Sequence, residues 1–344
     1  MRLWTHPINE NDLRQCLRVA VGATLGFIIC KVMGWSNGVF YTVTPMLLLG
    51  MIPTLSTHIA RQLIAAGVVC AIEVGFIAAI FAYHPVLSTI IVFLLFLSKF
   101  YCMSKGSLFL FGANSVVSLS IMLHFASYPT TDVNGLVTDN LLANILSVAI
   151  AYLVHYFIPD VEPRMPPPGL GAEKQKHRIR HEMLLGAAVT TVSFWAFQIF
   201  DLKDSMSAQA TSILLLFPMN WNGAMLYARK RALGAILGVS FGIVVQLFLY
   251  TWSDQLIFVT LFLWIGILLF GYFHVKEASG SGVGFGGLTT LGILFGQYLS
   301  PDQDLTFSAL YRIGCIVIAI VITLLFVYLF HLLLNRFSTT QFGE

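Results

Sequence analysis

Long apolar stretches separated by short polar turns run from Leu17 to Leu334, and they constrain this chain more than any motif does. A helix needs about 20 residues to cross a ~30 Å hydrocarbon core, because it rises only ~1.5 Å per residue. Lipid offers the backbone no hydrogen bonds, so the crossing segments must be helices or a closed barrel. Apolar segments of roughly this length fall at 15–33, 39–52, 59–82, 86–103, 107–125 and 140–158, and again at 182–200, 205–218, 230–252, 255–273, 281–299 and 307–334. Of the 344 residues, 57% are hydrophobic and 10% charged, against about 25% charged in soluble domains. The expectation is an all-α polytopic membrane protein with twelve transmembrane helices. The first segment follows a mixed polar stretch and opens a regular series, so it reads as a span rather than a cleaved signal.

The charges orient the spans. In Tyr227–Gly242, YARKRALGAILGVSFG, three consecutive cations (Arg229, Lys230, Arg231) stop where the apolar run begins. With the N-terminus in the cytoplasm, sixteen of the 19 Lys and Arg residues lie toward the inside. Only Lys31, Lys203 and Arg312 lie toward the outside, while the outer loops carry Asp132, Asp139, Asp201, Asp204, Asp254, Asp302 and Asp304. Such asymmetry is the positive-inside pattern, and it places both termini in the cytoplasm.

The chain also repeats itself. ARQLIAAGVVCAIEVG opens the third segment as YARKRALGAILGVSFG opens the ninth, aligning Gly67, Ala71 and Gly75 with Gly234, Gly238 and Gly242. GSLFLFG at Gly106–Gly112 pairs with GSGVGFG at Gly280–Gly286, Pro53 with Pro218, and His155 with His331. Two six-helix repeats are expected at 1–158 and 181–344, joined by a cytoplasmic linker rich in proline and charge at 159–180. An even number of spans per half makes the repeats parallel, with a shared pathway between them. The small residues read first as close-packing seams, since lipid supplies no hydrophobic drive between helices.

Paired short or proline-interrupted spans point to a transporter's binding site. Here they are FYTVTPMLLLGMIP and SMSAQATSILLLFP. Pro45 removes a backbone donor and frees a carbonyl, and Thr42, Thr44, Gln209, Thr211 and Ser212 place polar groups at membrane depth. The alternative is that these hydroxyls bond back to their own helices. Glu73 is the acidic residue deepest within a span; intramembrane carboxylates cost ~2.5–3.5 kcal/mol on insertion scales and face a cavity or a partner. Its expected role is proton coupling, against a purely structural Glu. Asn114 is a further candidate for the pathway, and Arg61, Arg231 and Arg312 are candidates for attracting an anion. The alternatives are interhelical hydrogen bonding for Asn114 and snorkelling to the interface for Arg312.

Other chemistries find little support. Cys16, Cys30, Cys70, Cys102 and Cys315 are scattered singly, without metal or disulfide spacing. GVGFGG at Gly282–Gly287 follows no soluble strand, and no lysine directly follows a glycine, which excludes a P-loop. The expectation is a protein that is not an enzyme, with no cofactor, no metal and no nucleic-acid partner.

The pattern resembles the fusaric acid resistance and aromatic acid exporter family. That resemblance rests on Arg231-Ala-Leu-Gly234-Ala-Ile-Leu-Gly238, more weakly on Arg61-Gln-Leu-Ile-Ala65, and on Tyr41-Thr42-Val43-Thr44-Pro45. It covers both halves, but this chain carries only the linker and a short tail where larger members have cytoplasmic domains. It implies an efflux transporter of the bacterial inner membrane, exporting aromatic or other weak organic acids, driven by the proton-motive force and served by a periplasmic adaptor of the membrane-fusion type. Two alternatives stand beside it: an uncoupled anion channel, and a non-transporting membrane scaffold for an adaptor complex.

Overall fold

The computed structural model describes residues 6–80, 84–128, 131–164, 174–200, 206–249, 251–252, 255–278, 282–298 and 305–342, with the backbone alone at 297–298, 305–310 and 312. Most of the linker, at 165–173, lies outside the described residues. Twelve α-helices stand where twelve spans are expected: α1 (Glu10–Met33), α2 (Gly38–Met51), α3 (Thr57–Ile80), α4 (Pro85–Ser104), α5 (Phe109–Ala126), α6 (Val133–Phe157), α7 (Lys176–Ile199), α8 (Met206–Leu214), α9 (Trp221–Phe248), α10 (Leu256–Lys276), α11 (Val283–Ile293) and α12 (Leu305–Asn335). A π-helical turn, Leu294–Tyr298, continues α11. Among the described residues nine helices are long and apolar enough to cross a membrane. The exceptions are α2, α8 and α11, and α8 is shortest: nine residues rise only ~13 Å. Local signals set the ends. Asn9 and Asp12 form a reciprocal capping box at the start of α1, and Gly34, at φ 70°, closes it in the left-handed conformation.

The helices gather into two compact units, each drawn from both halves of the sequence. Unit 1 comprises Met1–Ala60, Leu142–Met165 and Arg229–Gly314; unit 2 comprises Arg61–Leu141, Pro166–Ala228 and Cys315–Glu344. In unit 1, α1 packs on α2 and α10, and α11 packs on α10 and α2. In unit 2, α7 packs on α8 and α4, and α5 packs on α4 and α8. The order of pairing is the same in both.

Glycines set the closest approaches inside unit 1. A methyl group on Gly234 would lie 2.4 Å from the Val283 carbonyl oxygen and 2.8 Å from the Gly286 Cα, so α9 and α11 touch backbone to backbone. The small-residue seam expected on α3 is different. Gly75 has nothing within 4 Å of the position a Cβ would take. Instead α3 buries Leu63, Ala66, Cys70, Val74 and Ile77, and α9 buries Arg231, Gly234, Gly238, Gly242 and Val245. The two faces correspond one residue out of step with the glycine alignment, because the packed side of α3 is built on other small and branched residues.

Each unit also clasps a segment that leaves one of its helices, α6 in unit 1 and α12 in unit 2. In unit 1 the start of the linker lies along α1: Arg18 pairs with Asp160 at 2.7 Å, Arg14 donates to the Pro159 carbonyl, and Asn11 accepts from the Val161 amide. In unit 2 the tail lies along α7. His181 Nδ1 sits 2.8 Å from the Thr340 carbonyl, which only accepts, so that nitrogen carries the proton. His181 Nε2 therefore accepts, and His331 Nδ1, 3.0 Å away, donates to it. His331 Nε2 accepts in turn from Asn335 Nδ2 at 3.0 Å, while Asn335 Oδ1 takes the Phe342 amide at 2.9 Å. The chain is complete only with both imidazoles neutral. His177 donates to the Gln341 carbonyl, and Arg178 lies 4.7 Å from the Phe342 ring.

Two outcomes follow. Gly234→Ala must displace backbone, and a lowered melting temperature in detergent is expected, equivalent to about 1–3 kcal/mol. Gly75→Ala, with open space and better helix propensity, should melt at or above the wild-type temperature; equal losses in both variants would contradict the packing described. The tail is expected to respond to acid. Adding a proton to His181 or His331 sets two donors face to face, so hydrogen-exchange protection at the Phe342 amide should fall as the medium is acidified. In His181→Gln/His331→Gln that fall should vanish, and pH-independent protection in the wild type would refute the arrangement.

Candidate functional site

The expected site residues divide between the units. In unit 1, Pro45 lacks the N–H that would bond the Tyr41 carbonyl one turn back. That freed carbonyl is covered by Gly26 of α1: a methyl there would come within 2.0 Å of it. Thr42 donates to the Gly38 carbonyl of its own helix at 2.9 Å, and Thr44 is buried. The last carbonyls of α2 are occupied as well. Gln15 donates to Gly50 at 2.8 Å and to Leu49 at 3.3 Å, and His274 Nε2 donates to Gly50 at 2.9 Å. Arg231 is 0% exposed, and its Nη1 donates to the Gly286 carbonyl and the Thr289 hydroxyl of α11. Arg231 thus joins two helices, whereas Arg61, in unit 2, is exposed. The side chain of Arg312 lies outside the described residues.

Unit 2 holds the remaining candidates. On α8, Gln209 Nε2 donates to the Ser120 carbonyl at 2.8 Å and meets the Ser120 hydroxyl at 3.1 Å. Its buried Oε1 has no hydrogen-bond partner among the described residues. Thr211 and Ser212 bond back to Ser207 and Ala208. Asn114 is buried on α5.

Glu73 has a partner. Lys99 of α4, 3% exposed, places its Nζ 2.6 Å from Glu73 Oε1 and 5.2 Å from the Phe111 ring centroid. Glu73 Oε2 is buried and has no hydrogen-bond partner among the described residues. An ion pair taken out of water is a poor source of stability, yet removing one partner costs about 3–5 kcal/mol, because the other charge is left alone. The pair therefore fastens α3 to α4 only while both charges persist.

Two cavities open in the same unit. One, of about 460 Å³, lies where α3, α5 and α7 end and α4 begins; Val92, Leu123, Phe194 and Trp195 line it, with Ser88 and Gln198. Trp195 Nε1 donates to Thr89 across it at 2.9 Å. The other, of about 430 Å³, lies between α7, α8 and α12, with Phe197, Phe200, Phe326 and Cys315 in its walls. Among the described residues no cluster of three or more His, Cys, Asp or Glu side chains is placed to hold a metal.

Sequence reasoning missed the partners of the charges. Lys99 reads as a cation near a span's end, whereas it lies within α4 and pairs with Glu73. Glu182, 1% exposed, takes Lys174 at 2.7 Å and Arg178 at 3.1 Å. The Arg178–Glu182 spacing of four residues is a visible helical pair; Lys99 and Glu73, on different helices, leave no such signal.

Residues 191–326 match a family described as fusaric acid resistance protein-like. Residues 15–154 match a family described as a protein of unknown function, DUF2955. No curated protein and no solved structure matches the chain.

Proposed function

We propose that this chain, a fusaric acid resistance-like membrane protein by its matches, exports aromatic or other weak organic acids across the bacterial inner membrane. The observation that carries the reading is the buried Glu73–Lys99 pair inside membrane-length helices. Ionisable residues inside spans are costly and mark substrate, ion and proton pathways. In this reading Glu73 takes the coupling proton, which cancels its charge and releases Lys99, so proton loading loosens α3 from α4. Thr42, Thr44 and Pro45 of α2, Gln209 and Thr211 of α8, and Asn114 of α5 are the residues proposed to bind the substrate. Arg61, Arg231 and Arg312 shape the field that draws an anion in.

The recurring order of helix pairs supports two parallel six-helix repeats, 1–158 and 181–344, that exchange helices to build the units. The cation asymmetry supports cytoplasmic termini and a cytoplasmic linker at 159–180. A periplasmic adaptor of the membrane-fusion type completes the proposed export route.

Glu73→Gln keeps the shape and a hydrogen bond to Lys99 but holds no exchangeable charge. In proteoliposomes, gradient-driven efflux of benzoate is expected to collapse while passive exchange persists. Normal gradient-driven efflux by well-folded Glu73→Gln would end the coupling reading, and gradient-independent flux by the wild type would favour a channel. Orientation is tested separately: a cysteine at Asp132 should react with an impermeant maleimide from outside whole spheroplasts, and reaction only in inverted vesicles would reverse the topology.

A further inference from the structure

We infer that the cavity between α7, α8 and α12 is a binding site for the aromatic ring of the exported acid. The inference rests on the export reading and locates one part of it. The cavity lies wholly inside unit 2, and its volume of about 430 Å³ suits a small organic molecule, for which pockets run from ~300 to 1,000 Å³. Its walls are not those of a generic lipid groove. Phe197 is buried against Ala208 and Ala319, with Cys315 packed on the same cluster, while Phe326 enters from α12 and Phe200 stands at the exposed rim. Aromatic faces and edges from two helices favour a ring that meets them in offset or edge-to-face contact, a preference of ~0.5–1.5 kcal/mol that a saturated chain lacks.

The polar lining points the same way. Ser193, Ser212 and Thr323 place hydroxyls in an otherwise apolar wall. Ser212 gives its proton to the Ala208 carbonyl at 3.2 Å, so Ser193 and Thr323 are the hydroxyls of the wall that donate to the acid's carboxylate. An acyl chain offers these hydroxyls nothing, whereas a ring with a polar substituent does. Position adds a third argument: apart from Val189, every wall residue falls within the segment 191–326 that matches the fusaric acid resistance-like family.

Cys315 is a native reporter in the wall. Cys16, Cys30 and Cys70 are buried, so Cys102→Ser leaves Cys315 as the accessible thiol. In the full-length Cys102→Ser protein, benzoate should slow N-ethylmaleimide labelling of Cys315 severalfold. Cyclohexanecarboxylate, with the same charge and no aromatic ring, should slow it less, and octanoate least. Phe326→Leu should remove the benzoate protection while leaving the unprotected labelling rate unchanged. Should the thiol resist labelling altogether, equilibrium dialysis with radiolabelled benzoate decides: Ala319→Trp, which fills the cavity from α12, should abolish binding. Labelling unaffected by benzoate, or slowed equally by octanoate, would overturn the site, as would undiminished binding in Ala319→Trp. Benzoate efflux without protection would reject this cavity and leave the export reading standing. Protection without efflux would do the reverse.

Discussion

The constraint on which everything else depends is the absence of water around the spans. A polar or charged group inside lipid must find its partner within the protein, and within each unit the charged groups find theirs. Arg18 reaches Asp160, Glu182 gathers Lys174 and Arg178, and Glu73 holds Lys99. Backbone carbonyls obey the same rule. Gln15 and His274 occupy the end of α2, where four carbonyls of any helix lack intrahelical partners. Some of these contacts join segments distant in sequence, Arg18 with Asp160 and His274 with Gly50, so satisfying them also decides which segments lie together.

Close packing then follows from residue size. With lipid on one side and another helix on the other, association depends on how near two backbones come. Gly234 against the Val283 carbonyl and Gly26 against the Tyr41 carbonyl are two close approaches of this kind. The second answers a question that Pro45 raises. A proline inside a helix strands the carbonyl four residues earlier, and here a bare glycine Cα lies against it, where a weak C–H···O contact is available. Gly26 and Pro45 are thus two halves of one device, written on different helices.

How much of this was legible in the sequence depends on whether the signal is local. The twelve helices follow from apolar runs, and every one overlaps its expected place, although α6 and α9 begin at Val133 and Trp221, well before the runs expected from 140 and 230, because hydrophobicity needs no partner to be read. The short lengths of α2 and α8 were visible for the same reason. Side-chain facing was less accessible. The glycine alignment set Gly75 in a seam, yet α3 turns a neighbouring face inward, since a one-residue shift rotates a helix by about 100° and small residues alone do not reveal which rotation packs. Least legible were the interhelical partners. Nothing in LLFLSKFYC announces that Lys99 pairs with a residue 26 positions earlier, and the histidine–asparagine chain that holds the tail spans most of the second half.

The two units share an order of packing but not a chemistry, and the difference bears on where function sits. In unit 1 the proline-broken helix is closed over: the Tyr41 carbonyl meets Gly26, Thr42 returns to its own helix, and Arg231 is tied to α11. In unit 2 the corresponding short helix α8 has no proline to hide, and Gln209 keeps one buried oxygen without a hydrogen-bond partner among the described residues. Glu73 keeps another. Buried acceptors left unmet cost roughly 1–3 kcal/mol each, and unit 2 also holds open cavities of about 460 and 430 Å³. Unit 1 holds such atoms too, Thr24 Oγ1 and Thr260 Oγ1 among them, so the proposed placing of the proton and the ring-bearing acid in unit 2 is supported by the buried Glu73–Lys99 pair and the phenylalanine-lined cavity there.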